Sequence, residues 1–383
     1  MRTPPRPGVP RLLPCVAGAP SPARAPYRVG VLTGEGSGPE IVRVALDVLD
    51  AVADATGTAF DVRFGGPIGI DAERESGVAL TDEVAAFCAD TFAAGGAVLA
   101  GAGGGRFVYD LRRRFDLFCK LNPIRTWRAL ADASRLRCRR PDDVDVLVVR
   151  ENTGGVYYSD WASERAGVDV VLRQATTHHE GEIRRIVVAA ARMAALRRGR
   201  LAVVVKRGGL PEMSALWESV ARDAAAEHGV EASPLDVDLA AYRIVQEPES
   251  LDVVVAPNLF ADVLSDLGGV VAGSRALTCG GSFAASGVAV YQTNHGSAHD
   301  LARTDRANPA GQVLALAMLL RESFALDGAA QRIEDALHDV WTGGVRTADL
   351  AEPGAQVVGT REMGRRIVEA VRAAARVPLP ESA

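Results

Sequence analysis

A chain of 383 residues with 48% hydrophobic and 5% aromatic side chains can build one large or two medium globular domains with real cores. Its formal net charge of -5, without a polybasic block, gives neither nucleic acid nor an anionic membrane surface an electrostatic hold. No apolar run reaches the ~20 residues a membrane helix needs, and five cysteines (Cys15, Cys88, Cys119, Cys138, Cys279) with no C-x-x-C spacing fit free thiols in a reducing cytoplasm.

Residues 1–26 are rich in Pro, Arg and Ala, lack periodicity and read as a disordered extension. The apolar run at 12–19 is broken by proline and glycine and is too short for a secretory signal. A strand at 28–32, the turn G-E-G-S-G-P-E at 34–40 and a helix at 41–53 come next. Glycines between strand and helix let the backbone approach a ligand, but the spacing is not the G-x-G-x-x-G dinucleotide loop, and a plain tight turn explains it equally well. A helix at 81–92 and a strand at 97–100 lead to G-A-G-G-G and then to 106–123, which carries Arg106, Arg112, Arg113 and Arg114. Its tail, 117–121, reads as a strand, with Lys120 and Asn122 pointing to one face. A buried strand at 143–149 runs into V-R-E-N-T-G-G-V-Y-Y, placing Arg150, Tyr157 and Tyr158 around a turn. A helix at 185–198 precedes a strand at 201–205 that delivers Lys206, then a helix at 211–228, then a segment at 234–245 containing Asp238.

Lysine usage singles out two positions. The 43 basic residues comprise 41 arginines and only Lys120 and Lys206. Arginine keeps its proton, whereas a desolvated lysine can lose its own, so a position that stays lysine in such a chain is a candidate for proton chemistry.

The run 251–256 is short and β-branched, as a buried strand should be, and the helix after it carries Leu259, Val263 and Leu267 on one stripe. Asp262 and Asp266 stand at i and i+4, so both carboxylates project from one helix face. Like charges so placed repel, and a hard divalent cation held by carboxylate oxygens would relieve them; a solvated face is the plain alternative. H-G-S-A-H-D-L at 295–301, A-N-P at 307–309 and helices to about 375 complete the chain. Strands and helices alternate without a repeat, which predicts α/β architecture.

Taken together these stretches resemble the β-decarboxylating 2-hydroxyacid dehydrogenases, the family of 3-isopropylmalate, isocitrate, homoisocitrate and tartrate/malate-type enzymes, over about 28–375. G-E-G-S-G-P-E is similar to the family's G-D-G-I-G-P-E, and L-R-R-R-F-D-L-F-C-K-L-N-P to its L-R-x-x-x-D-L-Y-A-N-x-R-P. V-R-E-N-T-G-G-V-Y resembles its arginine and tyrosine motif, N-L-F-A-D-V-L-S-D its N-L-F-G-D-I-L-S-D, and H-G-S-A-H-D-L with A-N-P its cofactor loop. The resemblance implies two α/β domains with the active-site cleft between them. Residues 27–117 and 275–378 would form the large, cofactor-binding domain, and 118–274 the small domain with substrate, metal and dimer contacts.

It also implies a homodimer with shared sites. Asp262 and Asp266 would bind Mg²⁺ or Mn²⁺ together with the partner subunit's Asp238, Arg112 and Arg150 would clamp a substrate carboxylate, the partner subunit's Lys206 would be the general base and Tyr157 the general acid. His295, Gly296, Ser297, Asp300, Leu301 and Asn308 would surround the adenosine half of the cofactor. The acid at Asp300 would accept from ribose hydroxyls and repel a 2′-phosphate, which favours NAD over NADP. The reaction implied is oxidative decarboxylation of a malate-type 3-carboxy-2-hydroxy acid; a silent regulatory subunit and a dehydrogenase that does not decarboxylate are the alternatives.

Three positions depart from the family. Asn122 stands where a second clamping arginine is usual, Gly208 where an asparagine follows the catalytic lysine, and Gln292 where glutamate is usual. Lys120 lies two residues before Asn122 on the same strand face, so the expectation is that the positive charge has moved from 122 to 120. Arg106, Val108 and their neighbours Phe107 and Tyr109 lie where the family reads the group on C3, and they admit an apolar or an anionic substituent.

Overall fold

Short β-branched runs become the strands of one large sheet, and the amphipathic stretches between them become its covering helices. The structure, a computed structural model, describes residues 10–18, 23–131, 133 and 144–374. A short helix α1 (Leu13–Ala17) precedes β1 (Tyr27–Leu32), α2 (Gly38–Thr56), β2 (Phe60–Phe64), α3 (Gly69–Ser76), α4 (Asp82–Ala93), β3 (Ala97–Ala100) and α5 (Phe107–Arg114). The chain then crosses through β4 (Cys119–Arg125) to β5 (Asp145–Glu151), β6 (Asp160–Ala166), β7 (Asp169–Ala175), α6 (Glu180–Ala195), β8 (Arg200–Val205), α7 (Pro211–His228), β9 (Glu231–Asp236), α8 (Val237–Gln246), β10 (Val253–Ala256) and α9 (Asn258–Ala272). It returns through β11 (Cys279–Phe283), β12 (Ala289–Thr293), α10 (Ala310–Glu322), α11 (Asp327–Thr342), β13 (Val345–Arg346), β14 (Gln356–Val357) and α12 (Thr360–Ala374).

Ten strands pair in the order β2-β1-β3-β12-β11-β4-β5-β10-β8-β9. The flanks β2-β1-β3-β12 and β5-β10-β8-β9 are parallel, and the three pairings between them through β11 and β4 are antiparallel. An odd number of reversals makes the flanks run in opposite directions. The sheet is continuous across residues 117–118, because β4 pairs with both β5 and β11. Valine-rich β8 and β10 lie under helices, which is why V-V-V can be buried there without alternation.

One expectation changes. Residues 1–9 and 19–22 lie outside the described residues, but 11–17 do not form a disordered extension: Leu12, Leu13 and Cys15 are buried. The amides of Leu12 and Leu13 donate to Glu322 Oε2 at 2.7 and 2.8 Å, Arg11 Nη2 donates to the Glu322 carbonyl at 2.8 Å, and α1 packs on α6. The segment therefore bridges the two flanks, gripping α10 of one and α6 of the other. Composition misled because one distant carboxylate satisfies the helix's free amides and two leucines find a pocket. On α9, Leu259 and Val263 of the stripe are exposed and Leu267 is half-buried, while Ala261, Leu264, Gly268 and Ala272 face the core.

Burial pushes the Glu322 carboxyl up to about 7, against the amide hydrogen bonds that favour its charged form. The folded chain then keeps a proton that the unfolded chain loses above its ordinary value of 4.5, so this group makes stability fall as pH rises through that window. Glu322→Gln keeps an oxygen for both amides and should remove the slope. Its Tm relative to wild type should rise between about pH 5 and 8; thermal unfolding in a pH series checks this.

Candidate active site

The site begins where β5 ends. Arg150, its side chain only 2% exposed, donates through Nε to Asn258 Oδ1 at 2.8 Å and through Nη1 to Asp262 Oδ1. Asn258, in the first turn of α9, reaches back through Nδ2 to the Gly154 carbonyl at 2.9 Å, which ties the glycine turn to the helix. That turn carries Tyr157, whose hydroxyl donates to Asp262 Oδ2 at 2.7 Å. Burial opposes the charge on Asp262, yet Arg150, Tyr157, Lys120 and Arg112 together hold its carboxyl below the usual range. Burial, and then Asp262, push the Tyr157 phenol up, so it keeps its proton.

Two further cations stand beside this group. Lys120, on β4, is in register with Arg150 on β5 and Ser282 on β11, and is 5% exposed; Arg112 on α5 is equally buried. Among the described residues neither has an ion-paired carboxylate or a side-chain hydrogen-bond partner, and no nitrogen of either is sealed from solvent. Burial and then Arg150 push Arg112 down to about 10; burial, Arg112 and Arg150 push Lys120 well below the ordinary lysine value. Uncompensated buried charge is costly, so the arrangement calls for an anionic ligand. The Tyr109 ring lines the same place, 5.6 Å from the Arg112 guanidinium and 5.2 Å from the Tyr157 ring.

Asn122 is differently employed. It is 1% exposed and its Nδ2 donates to Asn294 Oδ1 at 2.7 Å, leaving its own Oδ1 buried without a partner. Of the pair expected to read a substituent, Arg106 leans on Asp110 at 3.5 Å at the rim of α5, and Val108 is half-buried against the core.

The three aspartates do not gather within one chain. Asp266 is one turn from Asp262 but pairs with Arg275 at 2.9 Å, and Asp238, at the start of α8, pairs with Lys206 at 2.8 Å. The repulsion expected between Asp262 and Asp266 is thus answered by separate arginines. Among the described residues no group of three metal-ligating side chains forms. Asp262 and Asp266 nonetheless fit a hard cation, being half-exposed oxygen donors on one helix face, with Asp262 held ionised. Lys206 is also not the desolvated amine expected: it is exposed, and its hydrogen bond to Asp238 raises it. The lysine with base-like surroundings in a single chain is Lys120. A side chain at Gly208 would meet nothing within 4 Å, so packing does not demand glycine there; Gln292 is half-buried on β12.

The loop after β12 sits on the turn after β1. Gly36 takes a φ of +60°, and a Cβ there would fall 2.0 Å from the Ser297 carbonyl oxygen. Glu35, 1% exposed, joins three loops: it accepts from Ile70 N at 2.6 Å, Gly104 N at 2.8 Å and Ser297 Oγ at 2.6 Å. Burial works against its charge, but these donors hold its carboxyl below the ordinary value. His295, Gly296, Ser297, Asp300 and Leu301 share this loop, and burial pushes His295 down, so its ring is neutral. Asn308 lies behind it, capping α10 through Ala310 N at 3.0 Å and donating to Asp349 at 3.1 Å. Sequence reasoning missed Glu35, Asn258 and Asn294 because each acts through partners distant in the chain.

The α/β fold thus carries, along one long shared sheet, a carboxylate and arginine cluster on one flank and a glycine-jointed loop pair on the other. The isocitrate/isopropylmalate dehydrogenase family profile matches residues 28–367, and the chain belongs to that family. It is 36% identical over 345 residues to 3-isopropylmalate dehydrogenase of Bacillus subtilis (strain 168), covering 85% of this chain and 92% of that one. With the 3-isopropylmalate dehydrogenase of Synechococcus sp. (strain JA-3-3Ab) it shares 38% identity over 374 residues, covering 92% and 95%. The crystal structure of isocitrate dehydrogenase from Methylococcus capsulatus superposes with a TM-score of 0.80 at 28% identity, covering 90% of this chain and 99% of that one.

Glu35→Ala should strand the amides of Ile70 and Gly104 in the interior, at about 1–3 kcal/mol each. Urea unfolding should show that loss, while Glu35→Gln, which keeps an acceptor, should lose less.

Proposed function

We propose that this protein is an NAD- and divalent-cation-dependent dehydrogenase that oxidises a 3-carboxy-2-hydroxy acid and releases CO₂, giving a 2-oxo acid. The observation that carries the reading is the pair of uncompensated cations, Arg112 and Lys120, beside the Arg150, Asp262 and Tyr157 cluster. Asp262 and Asp266, with the partner subunit's Asp238, would hold Mg²⁺ or Mn²⁺, and the loop His295, Gly296, Ser297, Asp300, Leu301, backed by Asn308, would hold NAD. When bound, the cation would supply Lewis-acid polarisation of the hydroxyl and carbonyl oxygens, and NAD a hydride acceptor for C2.

Arg112 and Arg150 bind and orient the acid's carboxylates. The partner subunit's Lys206 removes the hydroxyl proton, which requires its bond to Asp238 to open on assembly. Tyr157, kept protonated by its surroundings, returns a proton to the carbon that has lost CO₂. Arg106, Val108 and Tyr109 meet the substituent on C3.

A homodimer is part of the reading, because the helices bearing these acids leave apolar side chains in water. Leu239 and Tyr242 of α8 and Leu259, Val263 and Val270 of α9 are exposed, as are Trp161, Val170 and Leu172 of the β6–β7 hairpin. No described helix is long and apolar enough to cross a membrane, and the four described cysteines are buried free thiols, which suits the cytoplasm.

A panel of 2-hydroxy-3-carboxy acids with NAD and Mn²⁺ should yield NADH and CO₂ together from at least one member, and EDTA should abolish both. NADH without CO₂ refutes decarboxylation; intact NAD binding without turnover of any member points to a silent subunit. Lys206→Ala and Asp262→Asn should each be inactive alone. Mixed after co-refolding, they should recover about a quarter of wild-type activity, because each hybrid dimer has one intact site; no recovery would exclude sharing.

A further inference from the structure

We propose that Lys120 is the specificity-determining residue that holds the substrate's second carboxylate, in place of a cation at position 122. The inference rests on the anion-binding reading of the site given above. Three geometric observations support it. Lys120 shares a row with Arg150 across the β4–β5 ladder, and Arg150 is itself paired with Asp262. The Lys120 side chain as a whole is 5% exposed and stands beside Arg150 without an ion-pair partner among the described residues, a position that costs stability unless an anion arrives. Asn122, by contrast, is consumed in structure: its amide is bonded to Asn294, whose own Nδ2 donates to the Cys279 carbonyl at 3.0 Å. Gly280, opposite, leaves the room it fills, since a Cβ there would lie 2.9 Å from Asn122 Nδ2.

The shift has a chemical consequence. Moving a cation two residues along a strand moves its anchor by about 6.6 Å, towards the row of Arg150 and away from Asn294 and the cofactor loop. It also exchanges a planar fork for a compact point charge. Arg112, Lys120 and Arg150 then converge on one end of the cleft. The ligand class this favours is a compact acid with carboxylates on adjacent carbons, the malate unit itself, held by its charge density instead of by a bidentate arginine at 122. Bulk on C3 is left to the Tyr109 wall.

The test uses the full-length protein with Mn²⁺ and malate as the probe, read by isothermal titration calorimetry, with KM and kcat measured on the best substrate of the panel. Lys120→Met should weaken malate binding by ~100-fold or more and raise KM by a similar factor, with a smaller change in kcat. Its Tm without ligand should stay level or rise, because repulsion from Arg112 and Arg150 is removed; a merely structural lysine would lower it. Lys120→Arg should retain part of the affinity. The pair Lys120→Asn with Asn122→Arg should bind better than Lys120→Asn alone, which a structural role for Lys120 does not predict. Malate binding within threefold of wild type in a folded Lys120→Met variant, or no malate binding by the wild type, overturns the inference. Lys120-dependent malate binding without turnover of any panel member would sink the reaction and leave this assignment standing.

Discussion

A small region of unneutralised positive charge is the constraint on which the cleft depends. Arg112, Lys120 and Arg150 are buried together, and Asp262 answers only one of them directly. Such a cluster opposes folding, since each charge is taken from water and set beside its like. The fold holds it because the surrounding sheet is over-determined: β4 and β5 pair along their whole length, and Asn258 locks the Arg150 fork from the helix side. In the proposed function, rigid placement of repelling cations would convert folding energy into affinity for an anion, whose entry would relieve the repulsion.

The same economy of partners governs the other flank. One buried carboxylate, Glu35, accepts from amides and a hydroxyl of three segments, and so ties the turn after β1 to the start of α3, the glycine run after β3 and the loop after β12. A second buried carboxylate, Glu322, does comparable work at the N-terminal end, where α1 crosses from α10 to α6. These two acids lie outside the Arg150, Asp262 and Tyr157 cluster. Glu322 and its segment link the two flanks of the sheet.

Helix α9 shows how one element serves two surfaces. Its small residues, Ala261, Gly268 and Ala272, face the core, and Gly268 admits Ile124 so closely that a Cβ would meet it at 2.6 Å. Its larger apolar residues face outward beside Asp262 and Asp266. A periodicity count identifies a helix here, but which of its faces is buried depends on what packs against it. Where backbones approach closely, as at Gly268 against Ile124, a small residue goes in, while Leu264 and Val271 fill the core on either side.

Periodicity and β-branching placed the strands at 28–32, 97–100, 201–205 and 251–256 close to where they lie, since those runs are buried on both sides and need no distant information. The motifs likewise brought Arg112, Arg150, Tyr157 and Asp262 into one account, and the structure sets three of them in direct contact. The sequence by itself determined the alternating architecture, the arginine-for-lysine bias that exposed Lys120, and the i, i+4 relation of Asp262 and Asp266. Only tertiary structure decided that Asn122 is tied to Asn294, that Lys206 lies exposed against Asp238, that α1 is packed, and that Glu35 is a hub. Local spacing reports which side of an element a residue occupies. Which distant partner meets it, and how much water remains when they meet, depends on contacts between segments that no local pattern encodes.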